Sequence, residues 1–312
     1  MSSAPALTVV VCTLNRAPLL RLCLQSLVAQ TAAPESFEVL VVDNGSSDDT
    51  PLVAREFAGK IRQLRMVTEA EKGLSHARNR GFAEARGAFV GYLDDDAKVS
   101  PGWVKGVVAA FSGTDPTPSA VGGPIEPFFD GPRPKWFDDR LETRTWGDTA
   151  GFLSGDTARD GFSGSNVTFP RHYLQELGGF AAQYGMRDTT VGLGEETELC
   201  RRLYRVAPRF YYDPSLVVYH LVPREKLTLR YALRRSIADG VTSEQLRSAR
   251  PNRGAAVSTL RAIAEHALLL PLKVARHGGN PRLALQVETK RLGRRLGKLK
   301  YHLRASPTGT GT

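Results

Sequence analysis

The stretch Phe89-Val90-Gly91-Tyr92-Leu93-Asp94-Asp95-Asp96 decides the fold. A short apolar run followed by turn-forming residues reads as a buried strand. Three consecutive carboxylates at its exit repel one another and lose hydration unless a cation sits among them. A divalent metal answers that need, because hard cations take oxygen ligands from closely spaced aspartates. A solvated acidic turn accounts for the three acids equally well when they are taken alone.

Outward from this stretch the pattern repeats. Apolar, β-branched runs at 7–12 and 37–42 read as central strands of a parallel sheet, and 61–67 as a third with weaker alternation. Between them lie helices at about 18–29 and after Pro51, which Asp49 or Thr50 caps. Another runs from 74 to 85, entered through Gly73, and one follows Ser100 with Pro101 at its first position. Strand and helix in alternation predict an α/β fold with a doubly wound, mostly parallel sheet. Parallel strands share one carboxyl edge, where ligands bind. Thr13, Asn15 and Arg16, then Asp43, then Asp94, Asp95 and Asp96 each follow a predicted strand, so all are expected along one rim.

Farther on, residues 112–161 are rich in Pro, Gly and aromatics and read as a long loop around a strand at 120–123. Phe128, Phe129 and Trp136 in it suit either an apolar acceptor platform or core packing. A strand at 162–169 and a helix at 171–177 follow. Glu195 and Glu196 fall in the first turn of a helix, where the dipole favours an ionised carboxylate. Either can serve as a base, although acids prefer helix N-termini for structural reasons too. Strands at 210–212 and 216–219 follow, the second ending at His220 ahead of a loop that contains Pro223. Beyond Arg224 come amphipathic helices at 227–237, 260–274 (interrupted by Pro271) and 292–303, then a disordered tail at 305–312.

Composition narrows the class. The 312 residues, 41% hydrophobic and 24% charged, suit a soluble protein of one large domain, or of one domain with an appendage. No apolar run reaches the ~18 residues a spanning helix needs, and no secretory leader is visible. Cys12, Cys23 and Cys200 lack metal-ligand spacing and fit a reducing cytoplasm. Residues 201–312 hold 23 of the 42 Lys and Arg but only 6 of the 32 Asp and Glu. That end is expected to meet something anionic, or else to present a solvated basic face. A Gly-rich turn after the first strand is missing, against a dinucleotide fold, and so is a P-loop. A phosphatase with a nucleophilic aspartate would carry its acids after the first strand, not the fourth. No aromatic–basic motif accompanies the basic tail, so no nucleic-acid partner is expected.

Five segments in register resemble family 2 glycosyltransferases of GT-A fold. They are Thr8-Val9-Val10-Val11-Cys12-Thr13-Leu14-Asn15-Arg16, Val41-Val42-Asp43-Asn44-Gly45-Ser46-Ser47-Asp48, Gly73-Leu74-Ser75-His76-Ala77-Arg78-Asn79-Arg80-Gly81, Tyr92-Leu93-Asp94-Asp95-Asp96 and Gly194-Glu195-Glu196-Thr197-Glu198-Leu199. The resemblance implies a Rossmann-like nucleotide-sugar half at about 7–111 and an acceptor half at 112–222. A helical extension at 223–304 would follow this catalytic domain of residues 1–222. It implies that Asp43 accepts a hydrogen bond from the base, uracil being commonest, and that the turn of Thr13, Asn15 and Arg16 lies against base and ribose. Gly73 belongs to the same nucleotide-binding set, Arg78 stands near base or phosphates, and Asp94 or Asp95 reaches the ribose. Asp96 and His220 would hold Mn²⁺ or Mg²⁺ against the diphosphate, imidazole being acceptable to Mn²⁺ above all.

The reaction so implied is inverting transfer from a nucleoside-diphosphate sugar, a UDP-sugar first, to an acceptor hydroxyl of a glycan, a glycolipid or a small molecule. The family usually has Glu-Asp at the acidic helix, with the second acid as base; the second acid here is Glu196, one methylene longer, and Glu195 is the other candidate. Two alternatives remain at this stage: a relative that binds sugar nucleotide without transfer, and a nucleotidyltransferase of related fold. The basic C-terminal helices are compatible with an anionic membrane at its inner face, with packing on the catalytic domain, or with a homodimer.

Overall fold

The computed structural model describes residues 4–186, 193–247, 250–276 and 280–304, and the tail expected at 305–312 lies outside them. The chain forms two compact units. The first takes residues 4–128, 142–186 and 195–221; the second takes 129–141, 193–194 and the described residues from Val222 onward.

The first unit opens with β1 (Leu7–Thr13), α1 (Ala17–Val28), β2 (Phe37–Asp43), α2 (Thr50–Ala58), β3 (Leu64–Thr68), α3 (Leu74–Glu84) and β4 (Phe89–Asp94). These strands lie in the order β3-β2-β1-β4, each pair parallel. Thr13 is in register with Asp43, and Cys12 with Asp94, so the three strand exits do share one edge. Burial on both faces explains why β1 and β2 are almost continuously apolar. Val9, Val11, Val39 and Val41 pack with Leu20, Leu24 and Trp103 on one face. Val10, Leu40, Val42 and Tyr92 pack with Phe169, Phe180 and Leu199 on the other. Each such side chain contributes roughly 1.5–3 kcal/mol by leaving water. Gly81 lets α3 lie close to β1, since a Cβ there would stand 2.4 Å from Val10 Cγ1.

The remainder supplies β5 (Ala97–Val99), α4 (Trp103–Gly113), β6 (Ala120–Gly122), β7 (Ile125–Phe129), β8 (Gly151–Phe152), α5 (Gly155–Asp160), β9 (Val167–Pro170), α6 (Arg171–Glu176), α7 (Glu195–Val206), β10 (Phe210–Tyr212) and β11 (Val218–Val222). The main sheet continues past β4 as β9-β6-β10-β8. There β9 runs antiparallel to β4 and β6, and β8 antiparallel to β10, while β6 and β10 are parallel. A smaller sheet has the order β5-β11-β7.

Several local expectations shift. The strand expected at 162–169 begins only at Val167, because a turn closed by Asn166 N–H on Ser163 O precedes it. Buried Asn166 rewards that turn by donating to Pro124 O and Leu216 O and accepting from Trp103 Nε1. Helix α4 begins at Trp103, whose N–H bonds Ser100 O, so Ser100 and Pro101 form the turn ahead of it. The long loop region contains β7, β8 and α5 besides the expected strand. β11 runs on past His220, which pairs with Ala97, and ends at Val222.

The second unit is helical: α8 (Leu229–Leu246), α9 (Arg253–Leu268), α10 (Leu270–Ala275) and α11 (Pro281–His302). Thr228, Asn252 and Asn280 cap α8, α9 and α11 by accepting from first-turn N–H groups, a gain of about 1 kcal/mol each. Pro271 starts α10 instead of kinking one helix, since its missing N–H is no loss in a first turn. Where α8 meets α11 the backbones touch: a Cβ on Gly297 would lie 2.1 Å from Ile237 O. Phe129 and Trp136 pack edge-on around buried Phe137, whereas Phe128, in the first unit, carries Lys98 Nζ over its ring at 3.9 Å.

Candidate active site

Two loops lace the sheet edge together in the first unit. Asn15 adopts a left-handed backbone (φ 54°), which asparagine tolerates. Its Oδ1 accepts from Ser47 N at 2.7 Å, and its own N–H donates to Ser46 Oγ at 2.8 Å. Asp43 is buried at the end of β2 and accepts from Ser46 N at 2.9 Å. The neighbouring Asn44 donates to Glu69 O and Glu71 O and accepts from Gly73 N, while Lys72 Nζ donates to Asn44 O at 2.6 Å. Gly73 has φ 139°, a conformation a side chain would strain, at the entry to α3. Asn44 and Lys72 escaped the sequence reading; the Asn44-Gly45 pair signals a turn, but nothing local tells what its side chain will hold.

The acids after β4 are already met by cations of the chain itself. Arg16 reaches across from the β1 exit, with Nη1 at 2.7 Å from Asp95 and Nη2 at 2.9 Å from Asp96. It engages the acids directly, from the turn that the resemblance places against base and ribose. Burial pushes the Asp95 carboxyl up to about 7, with Asp96 adding to the rise and Arg16 opposing it. Asp94 ends below the ordinary carboxylate range: burial raises it, but the hydrogen bond with His220 and the charge of Arg78 outweigh that. Behind them burial lifts the Cys12 thiol to about 12, so it stays neutral and inert as a nucleophile.

Asp94, Asp96 and His220 each offer one ligand atom, and these atoms all lie within 4.8 Å of one another. His220 Nε2 stands 3.1 Å from Asp96 Oδ1 and 3.5 Å from Asp94 Oδ2. Asp96 Oδ1 is buried and makes no hydrogen bond of ordinary geometry. On the far side of the ring, Nδ1 lies 3.2 Å from Leu221 O. With a proton shared there, the Nε2 lone pair would face the two carboxylates and any metal between them, the usual support of a metal-binding histidine. The donor set, two carboxylates and one imidazole, fits Mn²⁺ or a similar divalent ion. The resemblance assigns Asp96 and His220 to the metal and Asp94 or Asp95 to the ribose; the Asp94 carboxylate stands in the same cluster as Asp96 and His220.

Arg78 ties this cluster to the acidic helix. From α3, its Nη1 reaches Glu195 Oε1 at 2.7 Å and its Nη2 reaches Asp94 Oδ1 at 3.3 Å. Phe180 and Tyr92 lie under the guanidinium at 5.4 and 6.0 Å, and Gly164 leaves room for it. Glu195 is 4% exposed, and burial, then its neighbour Glu196, push its carboxyl up to about 8 against the pull of Arg78. Glu196 Oε2 lies 4.0 Å from Arg78 Nη1 and has no hydrogen-bond partner. Five carboxyl groups thus crowd against two guanidiniums and one imidazole, a crowding that a divalent cation would relieve.

A model of the family described as glycosyl transferase family 2 matches residues 8–178, more than half of the chain. Among curated relatives, the glucosyl-dolichyl phosphate glucuronosyltransferase of Haloferax volcanii is 26% identical over 216 residues, covering 68% of this chain and 68% of that one. The validoxylamine A glucosyltransferase of Streptomyces hygroscopicus subsp. limoneus is 37% identical over 123 residues, 39% of this chain and 27% of its own length. Of solved structures, the mannosyltransferase PcManGT of Pyrobaculum calidifontis, in complex with GDP-Man and Mn²⁺, superposes over 96% of this chain and 88% of that one. Its TM-score is 0.64 at 21% identity, a likeness of fold, and that fold is GT-A. A parallel β3-β2-β1-β4 edge, aspartates at its strand exits and a family model spanning them converge: the chain is a glycosyltransferase and belongs to glycosyl transferase family 2.

Proposed function

We propose that this enzyme is a metal-dependent, inverting glycosyltransferase that moves a sugar from a nucleoside-diphosphate sugar, UDP-linked in the first instance, to an acceptor hydroxyl. The observation that carries the reading is the cluster of Asp94, Asp96 and His220 joined through Arg78 to Glu195 and Glu196. Asp43, Asn15 and Gly73 line the part of the rim that would receive base and ribose, and Thr13 is buried beside them. Asp94, Asp96 and His220 would hold Mn²⁺ or Mg²⁺. Held by those three side chains, such an ion would supply positive charge against the charge that builds on the leaving diphosphate.

The acceptor oxygen attacks the anomeric carbon as the bond from that carbon to the diphosphate oxygen breaks, which inverts the centre. Glu196 takes the hydroxyl proton: Oε2 of each glutamate lacks a hydrogen bond, but Arg78 holds Glu195 through Oε1 at 2.7 Å and stands 4.0 Å from Glu196. Arg78 keeps Glu195 and Asp94 in fixed relation, so base and leaving-group sites stay registered. The likeness to a glucosyl-dolichyl phosphate glucuronosyltransferase supports sugar transfer, and a polyprenyl-phosphate-linked acceptor is the class to try first.

A thermal-shift screen of UDP-, GDP- and TDP-sugars with Mn²⁺ tests the donor, since the ligand that binds raises the melting point. Release of nucleoside diphosphate with metal and acceptor tests the transfer. Pyrophosphate instead would identify a nucleotidyltransferase, and binding without release a non-catalytic relative.

A further inference from the structure

The helical second unit carries a feature that sugar transfer does not use. Helix α9 buries Ala256 and His266 along one side. Along the other, Val257, Leu260, Leu268, Leu269 and Leu272 of α9 and α10 are exposed, Leu268 at 79% and Leu272 at 61%. Ala264, Ala267 and Ala275 are exposed too, so apolar side chains recur three and four residues apart from 257 to 275. That is the spacing of one continuous helical face. Globular surfaces rarely leave such a stripe bare without a partner for it.

The surroundings of the stripe say what covers it. From Val222 onward the chain has 19 Lys and Arg against 5 Asp and Glu. Of those acids, Glu244 and Glu288 are buried and Asp239 is paired with Arg294, which leaves the outer surface strongly cationic. Arg253 and Arg261 of α9 and Arg276 just past α10 are exposed beside the stripe, against one exposed acid of α9, Glu265. Two such units would repel each other, which argues against a second copy as the occupant. The stripe holds no Trp, Tyr or hydrogen-bonding anchor of the kind that fixes a shaped protein partner. Leu and Val flanked by Arg suit a fluid hydrocarbon boundary beneath anionic headgroups. Among the described residues no helix is long and apolar enough to cross a membrane, so the contact would lie in the interface plane.

We propose that the outward face of α9 and α10 docks on an anionic lipid surface. The proposal does not rest on the sugar-transfer reading and stands or falls apart from it. The test is sedimentation of the full chain with phosphatidylcholine vesicles, with and without phosphatidylglycerol, at low and high salt. Wild type is expected to pellet with the anionic vesicles alone, less so at high salt. Leu260→Gln/Leu268→Gln/Leu272→Gln is expected to pellet at least about tenfold less, with an unchanged circular dichroism spectrum because these side chains are exposed. In Leu268→Trp, indole emission should shift to the blue when anionic vesicles are added. No pelleting at low salt, a triple variant that pellets like wild type, or an unshifted indole would overturn the proposal. So would a wild-type dimer by light scattering that the triple variant converts to monomer, since a second copy would then be the occupant.

Discussion

Arg78 Nη1 lies 2.7 Å from Glu195 Oε1, although the two residues stand 117 positions apart in the chain. Both are buried, so the pair replaces water for each partner. Arg78→Ala would leave the buried Glu195 carboxyl without the donor it accepts from, at a cost of about 1–3 kcal/mol. Urea unfolding monitored by circular dichroism should report that loss. Arg78→Lys should recover only part of it, because an ammonium cannot bridge Glu195 and Asp94 with a planar fork.

The same pair separates the two glutamates. Glu196→Gln is expected to lower kcat by roughly 10²–10⁴-fold with little change in KM for the donor, the signature of a lost general base. Glu195→Gln should cost less in kcat. If Glu195→Gln abolishes turnover and Glu196→Gln spares it, the roles are reversed.

Stability should depend on pH through Glu195. Its carboxyl is raised from the ordinary 4.5 to about 8, by burial first and then by Glu196. As pH rises through that interval the unfolded chain releases a proton that the folded chain still holds, so stability falls. Glu195→Gln removes this dependence. The melting temperature of the variant relative to wild type should therefore climb from acid to mildly alkaline pH, and a constant difference would count against a protonated Glu195.

Chelation should abolish nucleoside diphosphate release, and Mn²⁺ or Mg²⁺ should restore it. Titration calorimetry of Asp96→Asn and His220→Ala with Mn²⁺ should give affinities weaker by at least about tenfold, since each removes a proposed ligand. Asp94→Asn should behave alike if Asp94 joins the metal set. Unchanged metal affinity in Asp94→Asn would return that residue to the ribose.

Gly164 is a quieter test of the same centre. A Cβ there would stand 2.4 Å from Arg78 Nη2. Gly164→Ala must displace the guanidinium from Asp94 or from Phe180, at a cost of about 1–3 kcal/mol. Turnover should drop with stability; activity and stability like those of wild type would show that Arg78 tolerates the shift.

The sequence by itself determined the strand exits. Apolar runs at β1, β2 and β4, each closed by polar turn residues, are local patterns, and the parallel winding they imply puts Asp43 beside Thr13 and Asp94 beside Cys12 without further information. The acidic helix start at Glu195 is legible in the same way, from its own first turn. Only the tertiary structure decided what those residues meet. Antiparallel β9 beside β4, His220 inside β11, Arg16 on Asp95 and Asp96, and Arg78 between Asp94 and Glu195 all join segments far apart in the chain. Side-chain periodicity carries no record of such pairings, because it reports which face is buried and not against which partner; partner choice follows from burying many charged and apolar groups at once around a common centre.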